Sequence, residues 1–180
     1  WEQEVSVIVA LLAMDEPDKP EYKAYWPKID DHPVLYHDIR VSCNGTERSA
    51  HYAIRTFYIS RLVGEREQIR YVRHYQYVTW TRTGVPKYTA PFLDFMERVH
   101  EGHAKNPKAM LVHCHSGGGR SGMFVAIHTL IKEGKTKRQV DVLKCVTKLR
   151  QERPNMVKHL RQYKFIYEAL IDYFLCSDSG

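Results

Sequence analysis

The stretch Val112-His113-Cys114-His115-Ser116-Gly117-Gly118-Gly119-Arg120-Ser121-Gly122 constrains the fold of this chain more than any other. An apolar run, Ala109 to Val112, leads into it and predicts a short buried strand. Another, Met123 to Ile131, leads out and predicts a helix. The stretch is therefore a strand–loop–helix junction, with a cysteine where the strand ends. Its three glycines let the loop backbone curl and turn its N–H groups inward. The helix starting near Arg120 directs its positive dipole end at the same spot. A phosphate cradle follows: His115, Ser116, Gly117, Gly118 and Gly119 offer backbone donors, and Arg120 adds a planar fork suited to phosphate. The same field favours a thiolate at Cys114. A thiolate beneath a bound phosphate is a nucleophile aimed at phosphorus.

Composition narrows what surrounds this cradle. A chain of 180 residues buries one good core and is most simply one domain. Its formal net charge of +6 suits either nucleic acid or phosphorylated and acidic partners. The basic residues are scattered and no nucleic-acid motif occurs, so the second reading fits the loop better. Basic clusters such as Lys132 to Arg138 read as solvated faces. The four cysteines, Cys43, Cys114, Cys145 and Cys176, form neither a Cys-x-x-Cys pair nor a disulfide framework, which indicates a reducing compartment. Cys145 sits in a helical pattern and reads as a small core residue. The apolar run Val5 to Met14 is too short to cross a bilayer and lacks signal-peptide flanks.

Taken in order, Val5 to Ala13 predicts a central strand covered on both faces. Asp15 to Lys23, with its acids, lysines and prolines, predicts an exposed loop. Val34 to Val41, Tyr52 to Leu62 and Ile69 to Trp80 predict strands, the last with a period of two at Ile69, Tyr71, Tyr75 and Tyr77 that Arg73 interrupts. Asn44-Gly45 signals a hairpin turn, and Asn44-Gly45-Thr46, a formal glycosylation sequon, is read as that turn. Gly64 to Gln68 reads as a charged turn. Thr89 can cap a helix with Pro91 in its first turn and a core stripe of Phe92, Phe95, Met96 and Val99. Gly102 and Pro107 close it. Val142, Val146 and Leu149 mark another helix, which Pro154 ends. Tyr163, Ile166, Tyr167, Leu170 and Phe174 mark a last amphipathic one. The class implied is α/β (α+β): a twisted mixed central sheet flanked by helices.

The junction resembles the His-Cys-(five residues)-Arg-Ser/Thr signature of the protein tyrosine phosphatases, with His113, Cys114, Gly117, Gly119, Arg120, Ser121 and Gly122 in the matching places. Tyr25-Trp26-Pro27, Trp80 with Gly84-Val85-Pro86, and Gln162-Tyr163-Lys164-Phe165-Ile166-Tyr167 also match family landmarks, in order. The resemblance runs from Trp1 to about Phe174. It implies a phosphatase domain over residues 1–180 that lacks the N-terminal part carrying the phosphotyrosine-recognition loop. It implies no cofactor and no metal. It implies phosphotyrosine-containing proteins as partners, and a cytoplasmic setting, either free or as the intracellular part of a receptor-type protein. Cys114 would attack phosphorus, and Arg120 with the loop amides would bind the equatorial oxygens. Ser121 would donate to the sulfur, and His113 would orient the loop and tune the thiol. An acid in the loop after Met14 would pair with Arg120; Glu16 is the candidate, with Asp15 and Asp18 as competitors. Tyr25-Trp26-Pro27 is an aromatic anchor.

Two departures from the family pattern bear on turnover. Where the family has the general-acid Asp, this chain has Arg82, which stays protonated and cannot serve as an acid near neutral pH. Where the family has its water-positioning Gln, four residues before Gln162, this chain has Lys158. A charged lysine is a donor only and cannot accept the water's hydrogen bond, although it can hold phosphate. His115 and Ser116 are also bulkier than the family's usual residues, and Gly118 replaces a common apolar one. Two readings stay open: an active but impaired tyrosine phosphatase, and a phosphatase-like module that captures phosphotyrosine without efficient turnover. A metal site built from His100, His103, His113, Cys114 and His115 matches no zinc spacing. A Walker-type loop fits poorly, because the glycines end in Arg-Ser and not Gly-Lys-Ser/Thr.

Overall fold

The structure is a computed structural model that describes residues 1–13, 24–29, 31–80 and 84–177, the last two by backbone alone. Among the described residues there are six strands and four helices. By backbone contacts the chain divides into two units, Trp1–Thr79 with Val99–Leu111, and Trp80–Arg98 with Val112–Gly180.

The first unit holds β1 (Val7–Ala10), β2 (Val34–Tyr36), β3 (Ile39–Arg48), β4 (Tyr52–Val63) and β5 (Arg66–Tyr77). With β6 (Met110–His113), which starts in this unit, they form a mixed sheet in the order β2-β3-β4-β5-β1-β6. The β2–β3, β3–β4 and β4–β5 pairs are antiparallel, and β1 runs parallel to β5. As its unbroken apolar run predicted, β1 is central, with Val7, Val9 and Ala10 buried. On the side of β3 to β5, Cys43, Phe57 and Val72 form a cluster, with Ile8, Trp26 and Ile59 packed against it.

Three local readings change. The run Val34 to Val41 is not one strand but a tight hairpin, β2 and β3, turning at His37-Asp38; His37 takes φ +53°. The register shift between Cys43 and Gly45 is a bulge inside β3, so Asn44-Gly45 is no hairpin turn. Gly45 has no positive φ, and the reversal falls instead at residues 49–51, where Ser49 and Tyr52 exchange hydrogen bonds. In β5 the alternating face at Ile69 and Tyr71 is exposed, and burial on both faces begins only at His74. The change coincides with the stretch Arg73 to Gln76, where β1 pairs with β5.

The landmark Trp26 packs on the buried His74 ring at 4.5 Å, with the Arg55 guanidinium 4.7 Å above its own ring. Tyr25 shares a hydrogen bond with His74 Nε2 at 3.2 Å. This aromatic anchor encloses a buried polar row in which Arg55 donates to Gln76 at 2.9 Å and Gln76 donates to the Leu12 carbonyl at 3.1 Å. Burial pushes the Tyr25 hydroxyl up to about 12.

The second unit is helical: most of α1 (Thr89–Ala104), then α2 (Gly119–Lys137), α3 (Val142–Glu152) and α4 (Leu160–Ser177). Its core is the predicted stripe completed by partners from other helices. Phe92 meets Trp80 edge-on at 5.5 Å, Phe124 at 6.4 Å and Phe165 at 5.7 Å, all four being buried. Thr89 is the first residue inside α1 and not its cap, and its hydroxyl donates to the Asp172 carboxylate of α4. Asp141 caps α3, accepting from the Lys144 N–H at 2.8 Å. Cys145 is half-buried, not fully so; burial, the first cause, holds its thiol above the usual range and keeps it protonated.

Candidate active site

The cradle lies wholly in the second unit. β6 ends at His113, the chain leaves regular structure at Cys114, and α2 begins at Gly119. Cys114 is half-buried, His115 and Ser116 are exposed, and Arg120 is half-buried. The start of α2 differs from that of α3. Its cap position is Gly118 and no side chain caps it, whereas Asp141 caps α3; neither first turn holds an acid. The first N–H groups of a helix have no partner in the helix itself, so this end is left to an external acceptor.

Gly117 takes φ +68°, which turns the loop where a side chain would be strained. At Gly122 the constraint is space: an added Cβ would sit 2.7 Å from the Val157 backbone nitrogen. The cradle is thus packed directly against the segment after α3. Gln162 is buried, with its side-chain amide against Gly119, and its Oε1 accepts from the His159 N–H at 3.1 Å. Lys158 lies in the same segment, exposed, next to the fully buried Val157.

Trp80 is fully buried and donates from Nε1 to the Gly84 carbonyl at 3.3 Å, so the two ends of the segment holding residue 82 are tied together. The Arg120 guanidinium lies 5.8 Å from the centre of the Trp80 ring. Arg82 itself, and Asp15, Glu16 and Asp18, lie outside the described residues. The hydroxyl of Ser121 is buried and makes no hydrogen bond among the described residues. The contact from Ser121 to the Cys114 sulfur that the resemblance implied is therefore not made here. A buried hydroxyl without a partner costs about 1–3 kcal/mol, unless an anion or a rotated thiolate completes it. Burial of His113, partly offset by a hydrogen bond to the Cys114 backbone, holds its imidazole below the ordinary histidine range. Near neutral pH the ring at the strand end is accordingly uncharged. Among the described residues no group of three or more His, Cys, Asp or Glu side chains is arranged to hold a metal.

The sequence reading missed four residues around the cradle. Arg150 donates to the Met156 carbonyl at 3.0 Å and to the Val157 carbonyl at 2.8 Å. Arg153 donates to the Ser116 carbonyl at 3.1 Å. Asn155 and Val157 take φ +66° and +53°. For a β-branched residue such as Val157 this is a rare conformation, costing about 1–3 kcal/mol. Its burial and the grip of Arg150 on its carbonyl hold it there. The one sequence signal was Arg153-Pro154, which ends α3; nothing in the residue pattern told where the arginine side chains would reach.

Comparisons with known proteins place the chain in a family. The profile of the family described as "Protein-tyrosine phosphatase" matches residues 1–172. This chain belongs to the protein-tyrosine phosphatase family. Similar proteins include "Tyrosine-protein phosphatase Lar-like" of Caenorhabditis elegans, 35% identical over 96% of this chain and 8% of that protein. "Receptor-type tyrosine-protein phosphatase F" of Rattus norvegicus is 34% identical over 98% of this chain and 9% of its own length. The protein of the same name from Danio rerio is 34% identical over 99% of this chain and 9% of its length. The chain therefore spans less than a tenth of these curated relatives. Among the described residues, no helix of this phosphatase-family chain is long and apolar enough to cross a membrane.

Proposed function

We propose that this chain is a phosphotyrosine-hydrolysing domain acting through a phosphocysteine on Cys114. The observation that carries the reading is the uncapped N-terminus of α2, joined to a half-buried cysteine and a buried hydroxyl without a partner at Ser121. A bound phosphate ester accepts from the open helix end and sets its phosphorus over the Cys114 sulfur, toward which the Ser121 hydroxyl can turn. In the first step the Cys114 thiolate attacks phosphorus, a sulfur–phosphorus bond forms, and the tyrosyl oxygen leaves with the bonding electron pair. In the second step water attacks phosphorus, the sulfur–phosphorus bond breaks, and the thiolate and inorganic phosphate are regenerated. Arg120 and the amides of residues 115–120 stabilise the charge that develops on the equatorial oxygens. Ser121 donates to the departing sulfur in the second step, and Gln162 and Lys158 flank the bound phosphate. The substrates are phosphotyrosine-containing proteins, met on the reducing, cytoplasmic side of a cell, as the receptor-type relatives suggest.

A second reading, capture of phosphotyrosine proteins with little turnover, is favoured by Arg82 and Lys158. Neither can do the work of the Asp and Gln that the family uses, and loss of general acid catalysis alone costs about 10²–10⁴-fold. Phosphate release from a phosphotyrosine peptide separates the two. Hydrolysis above the level of Cys114→Ser supports the enzyme. Rates equal to that variant, with the peptide still bound, support capture. Arg82→Asp is expected to raise the first-step rate by about 10²-fold, the lower end of what a general acid contributes; an unchanged rate places the acid loop elsewhere.

A further inference from the structure

We propose that Arg153, at the end of α3, is a positioning residue of the phosphate cradle: by holding the Ser116 carbonyl outward it aims the Gly117 N–H at the bound oxyanion. The proposal rests on the phosphatase reading of the cradle and adds a residue outside the signature.

Two observations carry it. Arg153 Nη2 donates to the Ser116 carbonyl at 3.1 Å. The guanidinium also occupies the space beside Gly117, with Nη2 and Cζ 3.0 and 3.2 Å from where a Cβ would stand. No cis peptide bond occurs in the described backbone, so the Ser116–Gly117 peptide is trans and planar. Its C=O and N–H then point in opposite directions. An outer hand on the carbonyl is therefore an inner pointer for the amide. Without it this peptide plane, in a glycine-rich loop with φ +68° at Gly117, has little to stop it rotating. A flipped plane would present a carbonyl oxygen to a dianion in place of a donor.

The arginine is itself held in place. Its backbone N–H closes α3 on the Leu149 carbonyl. One turn earlier, Arg150 grips the Met156 and Val157 carbonyls and fixes the segment that carries Lys158. The last turn of α3 thus braces the cradle on one side and that segment on the other. Preorganised donors act because they need no rearrangement when charge develops, and a brace outside the site is how such a donor is kept in place.

Tungstate, a tetrahedral oxyanion, is the probe. Its affinity is measured by calorimetry for the unmodified chain, Arg153→Met and Arg153→Lys, each at low salt and at about 0.5 M salt, where exposed charges are screened. Thermal unfolding is followed in parallel. The expected result is at least tenfold weaker tungstate binding for Arg153→Met at both salt concentrations, with an unfolding midpoint near that of the unmodified chain because the side chain is exposed. Arg153→Lys, which keeps one donor within reach of the carbonyl, should recover most of the loss. Equal affinity of Arg153→Met and the unmodified chain overturns the proposal. A difference that vanishes at high salt also overturns it, since a distant positive charge would then suffice. Failure of the unmodified chain to bind tungstate removes the cradle reading itself, a distinct outcome.

Discussion

His113 carries chemistry through its burial. Its imidazole, held below its ordinary range by loss of water, resists a proton that the unfolded chain accepts as pH falls through about 6.5. In that window the unfolded state binds more protons than the folded one, so stability falls as pH drops and is complete above it. His113→Gln is expected to flatten this slope: between pH 7.5 and 5.5 the variant should lose fewer degrees of unfolding midpoint than the unmodified chain. Parallel curves would mean that this ring titrates alike in both states. The neutral ring has a second consequence. It adds no positive charge beside Cys114, which leaves Arg120 and the loop amides to stabilise an anion there.

Helix starts show how capping assigns roles to elements. At α3 the Asp141 carboxylate accepts from the Lys144 N–H in the first turn, so that end of the helix is closed by its own chain. At α2 the cap is Gly118, and no side chain takes the corresponding place. The chain thus leaves one helix open where an anion is to bind and closes the other with its own carboxylate. Asp141→Ala should cost about 1 kcal/mol of stability, read by urea unfolding. Because α3 presents Arg150 and Arg153, a frayed α3 should also weaken tungstate binding. A stability loss with unchanged binding would separate the helix from the cradle. The strand elements carry the opposite lesson. The split of Val34 to Val41 comes from β2 folding back to pair with β3, and the bulge at Cys43 to Gly45 lies in the pairing of β3 with β4, where the local Asn44-Gly45 signal had pointed to a turn.

In the molecule as a whole, each unit keeps its own hydrophobic interior. In the second, the ring of Phe92 contacts Trp80, Phe95, Phe124 and Phe165. It thereby joins α1, α2, α4 and the landmark tryptophan beside Arg120. Phe92→Ala should lower stability by about 3–5 kcal/mol, and because Trp80 loses its partner, tungstate binding at fixed temperature should weaken as well. A denaturant midpoint that barely moves would show this cluster to be loosely packed.

From the amino acids alone came the strand–loop–helix junction, the helical stripe of Phe92, Phe95, Met96 and Val99, a central strand within Val5 to Ala13, observed at Val7–Ala10, and the family. These are local features, written by periodicity, glycines and a spaced Cys-to-Arg motif that needs no distant partner to be recognised. Folding alone decided that Arg153 reaches back to the loop and Arg150 forward to the Met156 and Val157 carbonyls, that Val157 sits at positive φ, and that the Ser121 hydroxyl is left without a partner among the described residues. Each depends on which carbonyl or side chain from elsewhere in the chain arrives at that point. An arginine's reach and a buried hydroxyl's neighbours are matters of three-dimensional placement, on which spacing along one chain carries no information.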